Sequence, residues 1–121
     1  SNQIPILIDA EWKGRPRKLM LFANRNAFYY VLDRTNGEFL LAKQFAKQNW
    51  TLGLDAKGRP TPNPATVPSD TGALVYPDDD GTSNWFSPSY SPRTKLFYQP
   101  VREKGAYYFR AEAPYAPGRL F

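Results

Sequence analysis

The chain has 121 residues, 16 Lys and Arg against 11 Asp and Glu, and neither Cys nor His. That length builds one modest domain, and the missing residue types exclude disulfides, thiolate nucleophiles, Ser-His-Asp catalysis and every Cys- or His-ligated metal site. The 8 Phe, 8 Tyr and 3 Trp favour strands, and 12 Pro with 8 Gly break the chain too often for long helices, so the class is all-β with many turns.

Taken in chain order, Ile4–Ala10 reads as a strand, and a turn is expected at Gly14-Arg15-Pro16. Lys18–Asn24 follows as a second strand, apolar enough to be buried on both faces. Phe28–Arg34 is a third strand, in which Phe28, Tyr30 and Leu32 alternate with Tyr29, Val31 and Asp33. Asn36-Gly37 is a strong hairpin signal, and Glu38–Phe45 returns as a fourth strand. Four short strands in residues 4–45 match one blade of a β-propeller. Residues 51–82 hold nine Pro and Gly residues and read mostly as loop, with one short strand near Ala73–Tyr76. Strands resume over 84–113, at Lys95–Val101 and Ala106–Ala113, and an extended tail covers 114–121.

The net charge of +5 suits an acidic partner, but the basic residues are scattered. No run reaches the about five to eight residues of a nucleic-acid patch, and the densest cluster, Gly14–Lys18, reads as a solvated turn. No nucleic-acid partner is therefore expected. No apolar run approaches the roughly 20 residues of a membrane span. The opening "SNQIPILIDA" lacks the basic and apolar regions of a signal peptide and begins in a strand, so the chain reads as part of something longer.

Three stretches together resemble one family: "RKLMLFANRNAFYYVLDRTNGEFLLAKQF", "NWTLGLDAKGRPTPNP" and "TSNWFSPSYSPRTKLFYQPV". The combination of a basic residue before Asn and an aromatic strand, "VLDRTNG", "GxDxxGRP", and Asn-Trp before a Pro-rich strand is similar to the quinoprotein alcohol dehydrogenases. These enzymes depend on pyrroloquinoline quinone (PQQ). The resemblance covers nearly the whole chain in the family's order. It implies two to three four-stranded antiparallel blades of an eight-bladed propeller, from a periplasmic enzyme with PQQ and a Ca²⁺ or lanthanide ion near its axis. It further implies a small alcohol as substrate and an electron acceptor such as a cytochrome c. A segment of a propeller leaves blade faces uncovered, so self-association is expected of it.

The resemblance also implies two cofactor contacts. Arg25 falls where the family has an Arg or Lys near the quinone oxygens of PQQ. There a fixed cation stabilises negative charge as hydride arrives. Asn84 falls on a family Asn whose amide can both donate to and accept from the cofactor. Trp85 follows it, as in many relatives. The family's base, an Asp acting with the metal, lies upstream of the segment matching "SNQIPILID". Asp9 matches the strand after that base and is not assigned to the role. No catalytic residue and no metal ligand is assigned within the chain.

Two departures stand out. Ala27 replaces the family's usual Gly, a residue type that suits a positive-φ turn or a close backbone approach. Leu41 replaces the Trp with which many blades dock. Read without the family, Arg25 is a solvated strand-end charge, Asn84 a turn residue, and Asp33 a turn-stabilising carboxylate. Asp78-Asp79-Asp80-Gly81 reads as a solvated turn, since Ca²⁺ loops need spaced ligands. The alternatives are a non-enzymatic propeller scaffold without cofactor, and a basic, aromatic domain binding nucleic acid or polysaccharide.

Overall fold

A computed structural model describes residues 3–110, 112, 114 and 116–118. The only helical piece among them is a 3-10 turn, Pro64–Thr66. The dominant unit is a four-stranded antiparallel sheet of β1 (Ile6–Trp12), β2 (Arg15–Ala23), β3 (Phe28–Asp33) and β4 (Phe39–Gln44), in that order. The β1–β2 turn lies at Lys13-Gly14 and not at Gly14-Arg15-Pro16. Both turn residues have positive φ, 51° and 77°, as a two-residue hairpin turn requires. Pro16 instead sits in β2 opposite Glu11, in the part of β2 that pairs with β1 alone.

The remaining strands pair two by two. β5 (Thr51–Leu54) pairs with β6 (Pro60–Pro62), β7 (Ala73–Val75) with β10 (Ala106–Tyr108), and β8 (Ser89–Ser91) with β9 (Leu96–Tyr98). Residues 51–82 thus carry more order than the single strand expected of them. The β5–β6 hairpin closes on Asp55, whose carboxylate accepts from the amides of Lys57 and Arg59. These bonds, first Arg59's and then Lys57's, lower the Asp55 pKa. Gly58, at φ 76°, packs directly against the Phe39 ring, where a side chain would meet it at 2.6 Å. The "GxDxxGRP" motif is therefore a turn that seats one hairpin on the main sheet. The expected strand at Ala106–Ala113 is seen as β10; Ala111 and Ala113 lie outside the described residues.

The pleat divides the main sheet into two faces. One carries Ile6, Leu21, Val31 and Leu41 in a row, with Leu19, Ala23 and Tyr29 beside them. Leu19, Leu21 and Val31 are buried there, and Tyr90 and Phe97 of the β8–β9 hairpin pack over them. Tyr29 meets Phe97 at 5.1 Å between ring centres, and this burial, followed by the neighbouring Tyr90, pushes its phenol up to about 12. The opposite face carries Leu7, Met20 and Leu32 in one row and Phe22, Tyr30 and Ala42 in the next. Met20, Phe22, Tyr30 and Leu32 are only half-buried and Leu7 is exposed. β2 is thus covered on one face only, although its sequence suits burial on both.

Candidate functional site

β2 and β3 are joined by Asn24-Arg25-Asn26-Ala27. The turn closes with the Ala27 amide donating to Asn24 O at 3.2 Å and the Asn24 amide donating to Phe28 O at 2.9 Å. Ala27 has φ 73° and no exposed surface, so the position does adopt the left-handed conformation that favours glycine. Asn26 stabilises the turn twice. Its Oδ1 accepts from the Phe28 amide at 3.1 Å, and its Nδ2 donates to the Tyr30 hydroxyl at 3.0 Å. The Trp50 indole N–H donates to Asn26 O at 2.9 Å, with its ring edge-on to Phe28.

A second segment, residues 78–84, is clasped onto this turn. Thr82 N donates to Arg25 O and Ser83 Oγ to Ala23 O, both at 2.9 Å. The Arg25 guanidinium donates to Asp79 O, and Asn84 Nδ2 donates to Asp80 O at 2.8 Å. Residues 25 and 84, far apart in sequence, are therefore tied to consecutive carbonyls of one loop. Gly81, Thr82 and Ser83 between them are buried. A cavity of about 230 Å³ beside the turn is lined by Arg25, Asn26, Trp50, Pro77, Asp78 and Gly81. Trp85 projects from the loop, 67% exposed, and stacks on Phe86 at 4.4 Å between ring centres.

The acidic loop is not the solvated turn expected from its sequence. The Asp78 side chain is only 2% exposed, and Lys104 Nζ lies 3.0 Å from its Oδ2. This ion pair compensates the charge of the buried carboxylate. Asp78 beside it raises the Lys104 pKa. The Asp78 amide donates to Lys104 O at 2.9 Å, the Arg102 amide donates to Thr82 O at 2.8 Å, and Arg102 pairs with Asp80 at 3.0 Å. The reason for the burial is tertiary: residues 102–104 press the loop onto the 24–27 turn. Three contributors were missed by sequence reasoning, namely Trp50, Ser83 and the Asp78–Lys104 pair. The signal that could have found them is the glycine closing the acidic run, a residue type that allows close backbone approach.

Asp33 marks the other end of the sheet and has the structural role expected of it. It accepts from both the amide and hydroxyl of Thr35 and from Arg17 at 3.0 Å. These bonds, Thr35's first, hold its pKa at about 2.

No protein-family model matches the sequence. Over 102 residues the chain is 42% identical to the 1-butanol dehydrogenase (cytochrome c) of Thauera butanivorans, covering 84% of this chain and 15% of that protein. Among solved structures, the quinohemoprotein alcohol dehydrogenase ADHIIG of Pseudomonas putida HK5 superposes with a TM-score of 0.84 at 39% identity. The match covers 92% of this chain and 17% of that one. A europium-containing methanol dehydrogenase gives 0.73 at 30% identity, over 82% of this chain and 18% of its own. The chain thus spans less than a fifth of the length of these proteins, within their propeller fold. With this identity and this superposition, it belongs to the quinoprotein alcohol dehydrogenases.

Proposed function

We propose that the chain is part of a quinoprotein dehydrogenase that oxidises an alcohol by passing hydride to PQQ, with Arg25 and Asn84 as its contacts to the cofactor. The observation that supports this most is the joint anchoring of these two side chains on the Asp79 and Asp80 carbonyls. The donor set fits the group. A guanidinium offers five N–H donors in a planar fork, and an amide offers both donors and an acceptor, which suits a quinone that becomes a quinol.

When bound, the quinone supplies the hydride acceptor. Arg25 supplies a fixed cation where negative charge grows, already oriented by its backbone bonds, so little reorganisation is needed during reaction. Asn84 orients the cofactor through its amide. The catalytic base and the ligands for Ca²⁺ or a lanthanide come from other parts of the complete polypeptide, which acts in the periplasm and passes electrons to an acceptor such as a cytochrome c. The isolated segment has no complete catalytic set, and its open face of Leu7, Met20, Phe22 and Leu32 makes it self-associate.

The test uses the complete polypeptide reconstituted with PQQ and Ca²⁺. Arg25→Ala is expected to lower kcat for a primary alcohol by about a hundred- to a thousandfold, the loss typical of one preorganised charge-stabilising donor. Retention of full kcat and full PQQ affinity in both Arg25→Ala and Asn84→Ala would overturn the assignment. Failure of the complete polypeptide to bind PQQ would favour the scaffold reading. Alcohol turnover by the isolated segment with an artificial acceptor would refute its inactivity.

A further inference from the structure

Gly81 lies at φ 77°, and a Cβ there would stand 2.5 Å from Arg25 Cβ, 2.9 Å from Arg25 O and 3.1 Å from Arg25 Cα. Two of these three atoms are backbone and the third is rigidly attached to it, so Arg25 cannot turn a flexible end aside. Ordinary carbon contacts lie at about 3.5–4.0 Å, so any side chain at position 81 forces loop and turn apart by about 1 Å. The same separation would stretch the Thr82–Arg25 and Ser83–Ala23 bonds that hold the two segments together. From the far side the loop is braced by residues 102–104. Lys104 compensates the buried Asp78 carboxylate, and two backbone bonds join the segments.

We propose that Gly81 is a positioning residue, which seats loop 78–84 on the Arg25 backbone so that Arg25 and Asn84 are held together for the cofactor, with the Asp78–Lys104 pair bracing the loop from behind. This rests on the reading of Arg25 and Asn84 as cofactor contacts. Neither Gly81 nor Lys104 touches the cofactor in this scheme. Each acts through the loop, as residues behind a binding site commonly do, and loss of such support typically costs about ten- to a hundredfold.

Gly37 provides a matched control. Its φ of 76° is nearly the same as that of Gly81, but a Cβ there has nothing within 4 Å. Alanine at either position adds similar local backbone strain, whereas only alanine at 81 displaces Arg25. The measurement is the equilibrium dissociation constant of PQQ for the apo form of the complete polypeptide, together with the absorbance spectrum of the bound quinone. Gly81→Ala is expected to raise the dissociation constant about tenfold or more and to shift the spectrum. Gly37→Ala is expected to leave both unchanged. Lys104→Met is expected to weaken binding in the same direction, with Lys104→Arg restoring it, and it carries the test if Gly81→Ala does not fold. Equal PQQ affinity in the Gly81→Ala and Gly37→Ala proteins overturns the inference, as does wild-type affinity in Lys104→Met. If Arg25→Ala itself leaves PQQ affinity intact, the reading of Arg25 fails. If Arg25→Ala weakens binding and Gly81→Ala does not, only the positioning role fails.

Discussion

Two of the main sheet's three hairpin turns solve the same backbone problem by different means. The β3–β4 turn draws its support from the same hairpin and its neighbouring strand. Asp33 holds Thr35, Asn36 Oδ1 accepts from the Glu38 amide, Gly37 takes the left-handed position, and Arg17 of β2 pairs with both Asp33 and Glu38. The β2–β3 turn puts Ala27 in the left-handed position and leans on Trp50, Thr82 and Ser83, brought from far along the chain. A turn stabilised by its own residues has no need of other segments. A turn stabilised from outside makes those segments part of its geometry, and the candidate cofactor contacts sit at that end.

The comparison breaks most sharply at the two left-handed positions. Ala27→Val places a β-branched side chain at positive φ in a site with no exposed surface. It is expected to destabilise by about 3 kcal/mol, combining overpacking with left-handed strain. Gly37→Val meets open space and should cost only the strain, about 1–2 kcal/mol. Urea unfolding of the complete polypeptide checks both. Equal losses would show that the two turns are supported alike.

A smaller effect tests the remote support directly. Trp50→Phe keeps an aromatic ring edge-on to Phe28 and removes the N–H that reaches Asn26 O. The expected loss is about 1 kcal/mol, that of one hydrogen bond in a half-buried setting. A larger loss would move the main contribution of Trp50 from the turn to ring packing.

The local support of the other turn is sharpened by acid. The folded-state pKa of Asp33, about 2, lies below the about 3.9 of an unfolded Asp. Its contribution is therefore complete above pH 4 and is lost as pH falls from about 4 towards 2. Asp33→Asn should remove that part of the acid sensitivity. The difference in urea midpoint between wild type and variant is expected to shrink from pH 5 to pH 2. A constant difference would show that hydrogen-bond geometry, and not charge, carries the Asp33 contribution.

The same contrast explains what was legible in the sequence. "DRTNG" reads as a turn because Asp33, Thr35 and Asn36 find partners within a few residues. The one-sided burial of Leu19 and Leu21 was not legible, because the apolar run of β2 suits both faces. Lys13-Gly14 was masked by the stronger turn signal of Pro16, which β2 accommodates where it pairs with β1 alone. "DDDG" reads as solvated because nothing beside it covers Asp78; the cover comes from Lys104, across a chain reversal that local pattern does not encode. For Arg25, the family resemblance supplied a role where local pattern offered only an exposed charge. The loop that anchors it emerges only when residues 78–84 are folded back onto residues 23–25.

The smallest expected effect concerns Ala27→Gly, where opposing terms nearly cancel. Release of the left-handed strain on an alanine favours the variant by about 1–2 kcal/mol. Against it stand the lost burial of one methyl group, about 0.8 kcal/mol, and the greater freedom of glycine in the unfolded chain, about 0.4–1 kcal/mol. The net change in stability should stay within about 1 kcal/mol. Because Ala27 already holds φ 73° with its amide on Asn24 O and its carbonyl accepting from the Phe45 amide, the turn has no new geometry to adopt. PQQ affinity should therefore be unchanged. A variant that bound PQQ markedly more tightly would mean that the alanine holds Arg25 away from its best position. The departure from glycine would then be a functional one and not merely a tolerated strain.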